Sequence, residues 1–140
     1  AAKNNLKTLL LDEKTELGIL VFDVTTAPSG YVAENSDVVA KFLAVTADAN
    51  AAWNATQPDF MLNMIAQDAG MSTADAASSL STFVFPDVDA QLSGGWLGGA
   101  AQTFMKGVAD VFVAAGSIDS ANGSYSDNVN VGPLTSAKGM

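Results

Sequence analysis

The chain has 140 residues with no Cys, no His and no Arg, and 15 acidic against 6 basic side chains leave a formal net charge of −9. Thiolate nucleophiles, imidazole bases and His/Cys metal centres are thereby excluded within it, and an acidic field with six scattered lysines makes nucleic acid a poor partner. An apolar fraction of 49% with 15% charged residues predicts a folded body rather than a disordered one.

Two strands are expected first, at 7–11 (KTLLL) and 17–25. The second begins the apolar run LGILVFDVTTA, whose continuity predicts a strand covered on both faces, as in a parallel α/β sheet. Asp23 stands alone inside it. A buried carboxylate is costly unless a partner or ligand compensates it. Alternation puts Ile19, Val21, Asp23 and Thr25 on one face and Leu20, Phe22 and Val24 on the other. Asp23 and Thr25 then emerge together near the strand's C-terminal end, where open α/β sheets bind ligands.

A helix is expected at 35–54, with Val38, Val39, Phe42, Val45, Ala49 and Trp53 at helical spacing and Asn35 or Ser36 as its N-cap. A second, at 58–69, starts with Pro58 and stops at Gly70, its Met61 and Met64, with Met71 beyond, read as core filler. A third runs from Ser72 or Thr73 to about Thr82, Ser72 and Asp75 forming a loose capping box. FVFPD at 83–87 is extended, because Pro86 pushes Phe85 out of the helical region. The last helix spans 96–115, with Phe104, Val108, Val111 and Phe112 on one face and Gly116 as its stop. Beyond Ile118 the Ser, Asn and Gly content reads as surface loop. No stretch approaches the roughly 20 apolar residues of a membrane-crossing helix, and no internal repeat or heptad pattern offers a self-contained alternative.

Two strands make no parallel sheet, and a strand buried on both faces cannot stand at an unpaired edge. The expectation is one piece of a larger α/β protein, or a chain that depends on a partner. It is a single partial unit, strand-rich over 1–27, helical over 35–116 and a tail over 117–140.

The order FDVTTA, DVVAKFLAVTADANAAW, FVFPD, GGWLGGAAQTFMKGVADVFVAAGSID and SYSDNVNV resembles the C-terminal portion of taurine- and alkanesulfonate-type solute-binding proteins of ABC importers. The similarity runs from about Leu6 to Val131, and departs where the family has Pro and this chain has Asn35 or Ser36. The resemblance implies an α/β type II periplasmic-binding-protein fold, here mostly helical with about two strands and lacking most of its two lobes. It also implies a periplasmic protein that captures a small sulfonate and delivers it to a membrane permease, with no catalysis and no cofactor. Its further partner is then the missing N-terminal half of the same protein, or a partner chain.

In that family the position matching Asp23 sits at the cleft and accepts hydrogen bonds from a substrate amine. Phe22, Thr25 and Trp96 complete the candidate ligand set, against which stand a turn-capping or lysine-pairing role for Asp23 and a core role for Trp96. The glycines of GGWLGG at 94–99 allow a ligand to approach backbone amides at a helix start, which can hold a sulfonate without arginine; a plain tight loop is the alternative. Asp87, Asp89 and the 119–127 segment match a calcium loop only superficially. Two other functions are weighed: an enzyme like the thiamine-pyrimidine synthases of the same fold, disfavoured by the lack of Cys and His, and a noncatalytic helical interaction module.

Overall fold

The computed structural model describes Leu17, Ile19 and residues 21–140. Helices take 61% of the described residues and no strand occurs among them, which overturns the expected α/β type II binding-protein fold. The expected strand at 7–11 lies outside the described residues, as do Gly18 and Leu20 of the second. What is described of 17–25 is extended chain without a ladder, with Val21 77% and Val24 53% exposed. Among the described residues of the run only Phe22 is half-buried, against Trp96 and Phe104, and no strand pairs with it.

Helix α1, Ser29–Glu34, was not anticipated. It is separated from α2, Ser36–Thr56, by Asn35, whose extended-side φ of −130° breaks the run. Of the two residues expected at the N-cap, Asn35 and Ser36, it is Asn35 that occupies the position, but its side chain does not cap α2: its Nδ2 and its backbone N–H both donate to the Tyr31 carbonyl, at 3.1 and 2.9 Å, and so close α1. At the far end Gln57 takes a left-handed φ of 45° and its N–H donates to Trp53 O. Pro58 follows at once and fixes the entry to α3, Asp59–Asp68.

Helix α3 ends at Gly70, whose φ of 65° lets its N–H reach Gln67 O while Met71 N–H reaches Ala66 O at 3.0 Å. This paired closure is what a left-handed glycine supplies after a helix. Helix α4, Thr73–Leu80, carries the expected box: Asp75 N–H donates to Ser72 Oγ at 3.1 Å, and Ser72 Oγ donates to the Asp75 carboxylate at 2.6 Å. It packs against α3, with Ala66 and Ala76 buried. Met64 and Met71 are exposed, not core filler.

Residues 83–87 form no helix, with Asp87 in the extended region, and lie on the end of α2, where Asn54 Nδ2 donates to Phe85 O at 2.8 Å and the Trp53 and Phe85 rings meet at 6.4 Å. Asp87 then caps the short helix α5, Val88–Leu92, accepting from Ala90 N–H at 2.8 Å. That capping duty replaces any calcium role for Asp87.

Helix α6, Ala100–Ala114, starts four residues later than expected, because 96–99 form turns. It closes on Gly116, φ 69°, with Gly116 N–H to Val113 O and Ser117 N–H to Phe112 O, both 2.9 Å. The tail is not merely surface loop. After a short 3-10 turn at Ser126–Asn128 it forms α7, Gly132–Ala137, with Pro in its first turn and Pro133, Leu134 and Ala137 buried. α7 packs along α2, and Lys138 Nζ bridges to Asp89 at 2.5 Å, tying α7 to the start of α5.

The interior is built on small side chains: the buried hydrophobic residues include six alanines, Ala40, Ala66, Ala76, Ala101, Ala109 and Ala137, beside Trp53 and Leu134. Large apolar residues lie mostly outside, among them Val38, Phe42, Val45, Phe60, Val111 and Phe112. The helices approach closely through alanine, and their outer faces are left uncovered.

Candidate functional site

The sequence-nominated residues 22 and 96 meet in space. Phe22 reaches from the extended N-terminal segment to pack edge-on against Trp96, ring centroids 6.3 Å apart, and against Phe104 of α6 at 6.0 Å. Such edge-to-face pairs add attraction beyond their buried area. On the α6 side of Phe22 runs an open groove of about 320 Å³ lined by Phe104, Met105, Val108, Phe112, Ile118 and Tyr125. Among these groups only the Tyr125 hydroxyl and backbone offer a polar contact.

Asp23 and Thr25 follow Phe22 directly and are exposed. The burial cost argued for a carboxylate sealed in a strand therefore does not arise, because the Asp23 side chain remains in contact with water. Its exposure leaves it open to an incoming cation. Trp96 is half-buried, between core and lid.

The GGWLGG segment folds back on itself. Trp96 and Gly98 N–H donate to Ser93 O at 3.0 and 2.9 Å, Leu97 N–H to Gln91 O at 3.0 Å, Ala100 N–H to Gly94 O at 3.1 Å and Ala101 N–H to Trp96 O at 3.0 Å. Gln102 Nε2 donates to Leu97 O at 2.5 Å and pins the loop to α6. The amides of 96–101 are thus spent on carbonyls of the loop and of α5, and of the segment expected to hold a sulfonate only the Gly94 and Gly95 N–H groups donate to no backbone carbonyl. The need for glycine is also local: a Cβ on Gly98 would lie 2.7 Å from both Leu92 O and Ser93 O.

Lys106 of α6 is held by Asp110 one turn on, and Lys41 by Asp37 at 3.7 Å, both at the surface. Among the described residues no polar or charged residue is buried, and no cluster of three or more Asp, Glu, His or Cys could hold a metal ion. The arrangement offers an aromatic contact at the edge of an apolar trough, with an exposed carboxylate one residue after Phe22 in the chain. What sequence reasoning missed is the trough itself, since Ile118 and Tyr125 come from a stretch read only as loop.

No protein-family model matches the chain, and no curated protein and no solved structure matches it either.

Proposed function

We propose that this chain forms one wall of the ligand site in the solute-binding component of an ABC importer, capturing a small aminosulfonate or alkanesulfonate such as taurine outside the cytoplasm. The reading draws on motif order and on one cluster, not on a sheet or a two-lobed fold. The observation that carries it is the contact of Phe22 with Trp96 at 6.3 Å, two candidate ligand residues 74 positions apart in sequence, with the exposed Asp23 following Phe22 in the chain.

In this reading the Asp23 carboxylate accepts charge-assisted hydrogen bonds from the ligand ammonium. Phe22 and Trp96 lie against its methylenes, and Thr25 offers a hydroxyl nearby. The sulfonate is held by a second wall from other polypeptide, since the loop amides at 96–101 are engaged. Ligand contacts to both walls favour the closed arrangement, which a membrane permease reads. No bond is made or broken.

NMR titration tests this directly. Taurine raised to tens of millimolar should move the Asp23 amide and the Trp96 indole N–H, and Asp23→Asn should abolish both shifts. Silence at both positions in the unsubstituted chain would sink the reading. Micromolar affinity for this chain alone would contradict the one-wall arrangement.

A second reading, a noncatalytic helical interaction module, is favoured by the exposure of large apolar side chains on α2 and α6.

A further inference from the structure

Helix α2 is apolar on two opposite sides. Its inner side, with Ala40 buried, packs along α7. On its outer side Val38, Phe42 and Val45 are 50%, 57% and 69% exposed, and Ala49 and Ala52 continue the line, also exposed. The spacing is four, three, four, three, the seam of a coiled coil. Two heptads are too short to stand out as a repeat in sequence, and only the exposure of every member marks them as a surface.

We infer that this seam is a self-association surface, on which α2 of a second copy of this chain lies antiparallel. The choice of occupant comes from volume and charge. With a two-fold axis between residues 43 and 44, Phe42 of one copy meets Val45 of the other and Val38 meets Ala49, so each layer sets a larger side chain against a smaller one. Because the contact is isologous, every pairing occurs twice. In the same register Lys41 faces Asp48 of the second copy. Both lie on the same flank of the seam, at the positions that set partner and orientation in coiled coils. Among the described residues Lys41 pairs with Asp37 at 3.7 Å, an exposed pair that gives way easily. The reversed direction of the helices also lets their dipoles oppose. The four layers span about 16 Å of helix, so the association is weak and concentration-dependent.

Sedimentation equilibrium from micromolar to millimolar chain at physiological salt tests the register. The unsubstituted chain should pass from monomer to dimer across this range. Lys41→Asp and Asp48→Lys should each weaken association roughly tenfold, because each reversal puts like charges together twice. The double variant K41D/D48K should return association to near the original strength. Both positions are exposed, so far-UV circular dichroism should be unchanged in all three. A chain monomeric at millimolar concentration overturns the inference. So does association indifferent to the single reversals, or a double variant that fails to recover.

Discussion

Phe22 and Trp96 hold the N-terminal segment to the start of α6 through an edge-to-face contact, their ring planes 88° apart. Nothing else in 21–27 is more than superficially covered, so this pair and the Phe22–Phe104 contact fix where Asp23 stands. A double-mutant cycle of Phe22→Leu and Trp96→Leu, read by urea unfolding, should give a coupling of about 0.5–1.5 kcal/mol. Additive effects would mean the rings do not hold one another.

Among the described glycines Gly98 leaves the least room for a side chain. A methyl group there would press on two backbone carbonyl oxygens at 2.7 Å, which cannot swing away as a side chain can. Gly98→Ala should lower stability by about 1–3 kcal/mol, the usual cost of overpacking. Gly95→Ala, whose nearest neighbour is Ser93 Oγ at an ordinary 3.5 Å, is the control and should change stability little. Thermal denaturation of the two variants side by side separates a special site from a generally rigid loop.

The side-chain caps make a third, local prediction. Ser72→Ala and Asp87→Ala each remove the acceptor for one helix-start amide, Asp75 N–H and Ala90 N–H. Each should cost about 1 kcal/mol and speed hydrogen exchange at that amide. Asp119→Ala, in the exposed stretch after α6, should leave both unchanged.

Leu134 sits 5% exposed where α7 meets α2. Leu134→Ala should destabilise by about 2–5 kcal/mol, while Met64→Gln, at a side chain 65% exposed, should fall within about 0.5 kcal/mol of neutral. Equal effects in chemical denaturation would show that α7 is not part of the packed body.

The helices around Phe42, Ile65 and Ala76 were legible because caps, proline and glycine mark their ends independently of what they pack against. Bounds near Asn35, Pro58, Gly70 and Gly116 came from that local chemistry. The apolar run around Asp23 was not legible in the same way: a covered strand and an uncovered extended segment have the same composition, and only a neighbour distinguishes them. Helix α7 was hidden for a different reason. Its six residues are too few for a periodic stripe, and the Gly, Pro and Ser that suggested a loop also suit the first turn of a short helix. At the candidate site neither the Phe22–Trp96 contact nor the fate of the loop amides was legible, since the latter depends on carbonyls of Gln91, Ser93 and Gly94, which no spacing rule reveals.

The alanine interior sets how this chain answers heat. Unfolding exposes apolar area in proportion to what was buried, and heat capacity rises with it; alanines bury little each, so the heat-capacity step is small and the stability curve shallow. A shallow curve makes the melting temperature unusually responsive to whatever binds the folded form. For this chain a thermal scan is therefore less a measure of its own packing than a sensitive gauge of occupancy on the uncovered faces of α2 and α6.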